Sequence, residues 1–117
     1  MAIPSGSGTE VLKRSFHPAL SDTEQTLITG VANHIYTIFS VVFTEKASAA
    51  GELIHLYIDP NAAGTNLYLF QAQPIGASAT FVFTDKFVIT GTDKLHAITV
   101  ATANVDVWVS YIDQDWT

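Results

Sequence analysis

The sequence predicts an all-β protein that folds as a single antiparallel two-sheet sandwich of about eight strands. Three observations support this prediction: short runs of β-branched and aromatic residues, turn-forming Gly, Pro, Asn and Asp residues between the runs, and no sustained helical periodicity. A chain of 117 residues suits one domain with one hydrophobic core. We therefore expect a β-sandwich over residues 9–117, preceded by a flexible arm at residues 1–8.

Nine segments of the chain carry the strand pattern, and two-sheet sandwiches have about this number at this spacing. Turn signals separate the segments, for example Asp59-Pro60-Asn61, Gly91-Thr92-Asp93 and Ala103-Asn104. In chain order the predicted strands are 11–16, 26–28, 34–43, 52–58, 66–70, 80–83, 86–89, 95–101 and 105–112.

The last predicted strand shows the clearest alternation of apolar and polar residues. Val105, Val107 and Val109 fall on one face, and Trp108 falls on the other between small polar neighbours. We therefore expect the valines to face the core and Trp108 to face outward.

The predicted strand 34–43 is apolar on both faces. A strand of this kind is central in its sheet, and its second face is covered either by the arm or a loop, or by another subunit. The sequence leaves both possibilities open. Unbroken alternation divides the strand into Ile35, Phe39, Val41 and Phe43 on one face and Tyr36, Ile38 and Val42 on the other.

The charge balance excludes several classes of function. Only 14% of the residues are charged, against about 25% in a typical soluble domain, so little charge solvates a monomer's surface. This scarcity favours an assembly subunit, and we expect a homotrimer or homodimer. Five Lys and Arg against eleven Asp and Glu cannot form the basic stripe that binds nucleic acid. The chain contains no run of 18 apolar residues, so the sequence predicts no membrane span.

The sequence contains no recognisable catalytic, cofactor-binding or metal-binding motif. The histidines lack the spacing of zinc or iron ligands, and the chain has no cysteine. Asp59, Asp85 and Asp93 lie at predicted turns. Their carboxylates can accept hydrogen bonds from the backbone of the turn, which accounts for aspartate at these positions. We therefore predict that the protein is not an enzyme and binds neither cofactor nor metal. The histidines are His17, His34, His55 and His96.

Large apolar and aromatic residues are the candidate interface residues. Trp and Tyr side chains anchor protein interfaces and also stack on sugar rings, so two kinds of ligand are open. We place protein contact first because Trp108 projects from the face opposite the valines. The candidates are Ile3 in the arm and Tyr57, Tyr68, Phe70, Trp108 and Trp116 in the sandwich; a sugar platform would draw on Tyr57, Tyr68, Trp108, Trp116 and Tyr111.

Five segments between Glu24 and Ile112 form a recognisable series. They are IYTIFSVVF at 35–43, LYI at 56–58, YLF at 68–70 with Pro74-Ile75, FVITGTDKL at 87–95 and VDVWVSYI at 105–112. Together they resemble the small β-sandwich virion proteins of tailed bacteriophages, of the capsid decoration or cement type.

The resemblance implies a jelly-roll-like sandwich that oligomerises and has no catalytic residues. It also implies a structural role in the virion, assembled in the bacterial host cytoplasm. There the protein would bind the major capsid protein or other virion proteins and hold neighbouring capsomers together by many modest contacts. Two alternatives remain open: a tail, neck or fibre component, and a carbohydrate-binding β-sandwich module.

Overall fold

The chain alternates between two antiparallel sheets. The computed structural model describes residues 9–47, 51–100 and 104–116, so the predicted arm at residues 1–8 lies outside the described residues. A single 3₁₀ turn, Pro60–Ala62, follows the fourth strand. The strands in the described residues are β1 (Thr9–Leu20), β2 (Gln25–Thr29), β3 (His34–Glu45), β4 (Glu52–Asp59), β5 (Leu67–Ile75), β6 (Thr80–Phe83), β7 (Phe87–Thr90), β8 (Lys94–Thr99) and β9 (Val105–Asp115).

The strand order is that of a jelly roll. Sheet 1 has the order β1-β9-β3, and both β6 and β7 pair with the far side of β3. Sheet 2 has the order β2-β8-β4-β5. Because β6 and β7 pair with successive halves of β3, they act as one interrupted strand, which gives four strands in each sheet. The predicted antiparallel two-sheet sandwich of about eight strands is confirmed.

The hydrophobic core lies between the inward faces of the two sheets. Val105, Val107 and Val109 are buried there, as their alternation predicted. The fully buried Phe43 of sheet 1 contacts Phe70 of sheet 2 edge-to-face, with ring centroids 5.7 Å apart. Aromatic contacts of this kind contribute about 1 kcal/mol beyond the area they bury, so this pair helps to hold the sheets together.

A β-bulge changes the faces of β3. Phe39 is an extra residue between Ile38 and Ser40, which pair with consecutive residues of β9. The bulge brings Tyr36 and Ile38 onto the same buried face as Val41. The expectation that Ile38 lies opposite Val41 was therefore wrong, because an unbroken alternation does not allow for the extra residue.

The strand β5 is longer than the sequence indicated. It continues beyond Phe70 to Ile75, although Ala72 has a positive φ of 54° and Pro74 lacks a backbone N–H. β5 is the last strand of sheet 2, so the missing donor of Pro74 faces no neighbouring strand. Pro74 therefore indicates that β5 is an edge strand and does not mark the end of β5. The eighth strand, predicted to reach residue 101, ends at Thr99.

Two aspartates hold turns as expected. The carboxylate of Asp59 accepts hydrogen bonds from the backbone N–H groups of Gly64 and Thr65, at 2.9 and 3.2 Å. The carboxylate of Asp93 accepts from the backbone N–H groups of Thr90 and Asn61, both at 2.9 Å. Backbone hydrogen bonding accounts for both side chains.

A buried carboxylate connects the strands β1, β3 and β9. Asp113 of β9 accepts a hydrogen bond from Lys13 Nζ of β1 at 2.8 Å, and its other oxygen lies 2.7 Å from His34 Nδ1 of β3. Burial raises the pKa of Asp113, but the hydrogen bonds with Lys13 and His34 outweigh burial and hold the pKa below its ordinary value of 3.8. The folded state therefore favours the ionised carboxylate, which helps to fix β1 at the edge of sheet 1.

We expect the substitution Asp113→Asn to reduce the free energy of unfolding by about 1 to 3 kcal/mol at neutral pH, because it removes two charge-assisted hydrogen bonds. The stabilisation by Asp113 is present above its unfolded pKa and is lost as the pH falls through the lower folded pKa. The difference between the variant and the wild type should therefore shrink below pH 3.8. Thermal unfolding measured across this range tests the prediction, with the exposed Asp22→Asn as control. A difference that is undiminished in acid would contradict it.

Candidate interaction surface

The outward face of sheet 1 carries an apolar row that crosses the whole sheet. Phe16 of β1 is the cross-strand partner of Trp108 in β9, and Trp108 is the partner of Val42 in β3. Val42 in turn pairs with Val82 of β6. Directly paired residues share one face of a sheet, and Trp108 faces away from the buried valines, so all four side chains point outward.

A second row runs parallel to the first. Leu12 of β1 pairs with Ile112 of β9, Ile112 pairs with Thr37 of β3, and Thr37 pairs with Val88 of β7. Leu12 is 74% exposed and Val88 is 54% exposed. We call the two rows together the outer apolar face: Phe16, Trp108, Val42 and Val82, with Leu12, Ile112, Thr37 and Val88.

An aromatic stack with a cation stands at the β1 end of the first row. The rings of Phe16 and Trp108 have centroids 5.4 Å apart and are inclined by only 14°. The guanidinium carbon of Arg14 lies 5.3 Å from the Phe16 centroid and 5.0 Å from the Trp108 centroid. Cation–π attraction at exposed sites contributes about 0.5 to 1 kcal/mol, so the three side chains restrain one another on the surface.

Two depressions flank Trp108. One has a volume of about 180 Å³ and lies between Phe16, Val42 and Trp108, with Pro18 at its edge. His17 also lines it, and the Nδ1 atom of His17 is buried without a hydrogen-bond partner among the described residues. The other depression, of about 630 Å³, is shallower and is lined by Leu12, Lys13, Arg14, Trp108 and Ser110. Trp108 is therefore a ridge that a complementary protein surface could enclose.

Few charges lie around the outer apolar face. Asp106 stands at the rim of the smaller depression, where it accepts a hydrogen bond from the Ala19 backbone N–H at 2.9 Å and pairs with Lys46 at 3.0 Å. Burial raises the pKa of Asp106, while the contacts with Ala19 and Lys46 lower it more, so the net pKa is below the ordinary value. This carboxylate is occupied by structural contacts.

The outward face of sheet 2 carries a cluster of hydrogen-bonded polar groups, in addition to exposed apolar residues such as Leu53 and Tyr68. The Tyr57 hydroxyl donates a hydrogen bond to Glu24, and burial together with that carboxylate raises the pKa of Tyr57. The ring of Tyr57 packs against His96, whose Nδ1 lies 3.1 Å from the Thr26 hydroxyl oxygen. The polar groups of this cluster bind one another, so it does not present an unpartnered surface like that of sheet 1.

Two features are absent from the residues that the structure describes. No group of three or more His, Asp or Glu side chains among these residues is arranged to hold a metal ion. No helix in the same residues is long and apolar enough to span a membrane.

The aromatic residues singled out in the sequence do not form a common site. Trp108 is exposed on sheet 1, whereas Tyr68 is exposed on the opposite side of the molecule beside the buried Tyr57. Phe70 turns inward, and Trp116 is half-buried at the end of β9. The sugar platform built from the whole set is therefore not assembled. Tyr111 also faces inward, against Tyr36, and Ile3 lies outside the described residues.

Sequence reasoning missed most of the outer apolar face. The alternation of Leu12, Arg14 and Phe16 along β1 was visible, and it could have indicated that these side chains share one face. Their alignment with Trp108 and Val42 was not visible, because it depends on the register between strands that are distant in sequence. The outer apolar face is therefore a property of strand pairing.

The comparisons with known proteins give similarity in structure only. No protein-family model and no curated protein sequence matches the chain. A chain of the acidic stable capsid of Helicobacter pylori bacteriophage KHP30 is similar with a TM-score of 0.57 and 8% identity, over 98% of this chain and 92% of that chain. A chain of the disulfide-linked pili that form Bacillus endospore appendages has a TM-score of 0.56 and 11% identity, over 100% and 97% of the two chains.

A third similar structure is a chain of the virus-like particle of extra small virus from the giant freshwater prawn Macrobrachium rosenbergii. Its TM-score is 0.51 with 12% identity, over 98% of this chain and 84% of that chain. At identities this low, the similarity shows a shared fold alone, over nearly the whole of this chain and most of each similar chain.

Proposed function

We propose that this chain is a non-enzymatic structural subunit of a tailed-bacteriophage virion, a decoration or cement protein that bridges neighbouring capsid subunits. The outer apolar face is the observation that carries the proposal. Two rows of side chains, apolar except for Thr37, cross a sheet whose other face already forms the core. Extended apolar surface on a small domain is normally covered by another protein.

The composition and the similar structures support an assembly role. With 14% charged residues, the chain has little charge to keep exposed apolar surface in solution. The similar chains described above come from a capsid, a virus-like particle and a pilus. The pili are disulfide-linked, and this chain has no cysteine, so the virion is the better supported of these assemblies.

The proposed mechanism is non-covalent. Trp108, restrained by Phe16 and Arg14, enters a complementary depression on the major capsid protein or another virion protein. Buried Trp side chains are frequently the residues that contribute most to the affinity of an interface. Self-association of the subunit, as a homodimer or homotrimer, then multiplies such contacts across the particle.

A carbohydrate-binding module is a weaker candidate. The aromatic stack beside a depression of about 180 Å³ is the feature that favours it. A sugar ring needs a free aromatic face, however, and Trp108 already stacks with Phe16 and Arg14. Glycan-array binding that is lost on Trp108→Ala would favour the module over the virion subunit.

We expect Trp108→Ala to weaken particle binding by about tenfold or more, because an interface Trp typically contributes about 2 kcal/mol. The matched control is Tyr68→Ala, since Tyr68 is 45% exposed on sheet 2 and Trp108 is 44% exposed on sheet 1. Purified variants are added to particles of the source phage from which this gene has been deleted. Cosedimentation measures affinity, and cryo-electron microscopy locates the added density.

Regular density on the outer capsid, with Tyr68→Ala bound as strongly as the wild type, is the expected result. Density at the tail, neck or fibres would replace the decoration role with the alternative virion role. Absence of binding by the wild type would overturn the proposal as a whole.

We also propose that residues 1–8 form a flexible arm that becomes ordered on binding. The composition is Ser- and Gly-rich with Ile3 as its apolar anchor, and such a segment buries too little apolar surface to fold alone. Fully extended, eight residues span at most about 26 to 29 Å, which is enough to reach a neighbouring subunit. β1 begins directly after the arm, at the edge of sheet 1.

Deletion of residues 2–8 should leave the thermal unfolding temperature nearly unchanged, because the arm contributes no core side chain to the sandwich in this proposal. Binding to the gene-deleted particles should become weaker. The same cosedimentation assay measures the effect, and Ile3→Ser separates the apolar anchor from the length of the arm. Unchanged binding after deletion would remove the arm from the mechanism.

A further inference from the structure

The four edges of the two sheets are not equally protected. Edge strands expose unpaired backbone donors and acceptors, and proteins commonly shorten, bend or interrupt them with bulges or proline. β2 has only five residues and a register shift, and β5 contains a bulge and Pro74. The β6/β7 edge is interrupted between Phe83 and Phe87. Three edges therefore carry features that hinder further pairing.

The fourth edge, β1, lacks such features over most of its length. From Thr9 to His17 it pairs with β9 without a register shift, and Pro18 and the positive φ of Ala19 come only afterwards. No other strand of the described residues pairs with β1. A regular edge of nine residues is therefore available to a further strand.

We infer that this edge pairs antiparallel with β1 of a second copy, so that sheet 1 continues through a twofold dimer. A twofold axis perpendicular to the sheet keeps outward side chains outward. It must therefore pass midway between the two copies of one β1 residue, which lie directly opposite each other. With the axis at Leu12, Glu10 of each copy lies opposite Arg14 of the other. The dimer then contains two pairs of opposite charge.

The charges of β1 distinguish this register from its neighbours. An axis at Lys13 would place two ammonium groups opposite each other, and an axis at Arg14 would do the same with two guanidinium groups. An axis at Val11 would create no charge pair of either sign. Like charges directly across a strand pair are destabilising, whereas opposite charges are stabilising. Glu10 Oε1 accepts a hydrogen bond from Gln114 at 2.9 Å, and its second oxygen can accept from Arg14 of the other copy. In the dimer, the Arg14 guanidinium leaves the rings of Phe16 and Trp108 to reach this oxygen.

The dimer would join the outer apolar faces of its subunits. In the register centred on Leu12, the row from Leu12 to Val88 meets its counterpart at the axis, so an apolar row extends across both copies. The inference rests on the self-association included in the proposed function and deepens it, because it names the strand and the register through which two copies meet. It rests on the strand edge, whereas the capsid proposal rests on the sheet face.

Charge exchange tests both the contact and its register. Sedimentation equilibrium of the full chain should show a dimer that Glu10→Arg and Arg14→Glu each weaken by about tenfold or more. An equimolar mixture of these two variants should form heterodimers, because positions 10 and 14 then carry two positive charges in one copy and two negative charges in the other. The double variant should also recover dimerisation, and Asp22→Arg, a charge reversal away from the edge, should have no effect.

A cross-linking experiment examines the axis independently of charge. The chain has no cysteine, so Leu12→Cys introduces one thiol close to the proposed axis. Mild oxidation should give covalent dimers with Leu12→Cys and not with Val88→Cys, although both positions are well exposed. Equal cross-linking at the two positions, a monomeric wild type, or variants that fail to recover on mixing would overturn the inference.

The two proposals fail in different ways. Dimerisation of the wild type without particle binding would overturn only the virion role. Particle binding by a strictly monomeric chain would overturn the dimer and the self-association step, and would leave the virion role standing. Trp108→Ala should leave the dimer intact, because Trp108 lies on β9, one strand away from the proposed contact. Loss of the dimer in this variant would show that the face, and not the edge, makes the contact.

Discussion

The register between β3 and β9 is the constraint on which the rest of the structure depends. The extra residue at Phe39 shifts the pairing by one position, so that both halves of β3 direct their larger side chains to the core. A one-residue change in register exchanges the two faces of a strand. Without the bulge, Tyr36 and Ile38 would lie outside while Val41 stayed inside, and neither the core nor the outer apolar face would be continuous.

The polar groups of the sandwich serve mainly to fix its strands. Asp113 holds β1 and β3 to β9 through Lys13 and His34, and Asp59 and Asp93 close turns. The hydrogen bonds with Lys13 and His34 favour the ionised form of Asp113. The contact of Asp113 with Lys13 also holds β1, the strand that presents Phe16, against β9.

The outer apolar face and the edge of β1 are two different surfaces through which sheet 1 can associate. A sheet face offers side chains and associates through shape and apolar area, whereas a sheet edge offers backbone groups and associates through hydrogen bonds. β1 contributes to both surfaces, because Leu12 and Phe16 project from its outward face while its free side is the edge. A subunit with these two surfaces could join a second copy and a larger shell at the same time.

The sequence by itself determined the all-β class, the approximate positions of the nine strands and the inward orientation of the last strand's valines. These features are local, because strand propensity, turn residues and period-two alternation act within a few residues. Only the tertiary structure decided that Phe39 is a bulge, that Phe70 is a core residue and that Phe16 meets Trp108. Each of these depends on pairing or packing between distant segments, and a sequence pattern does not specify which strands become neighbours or in which register.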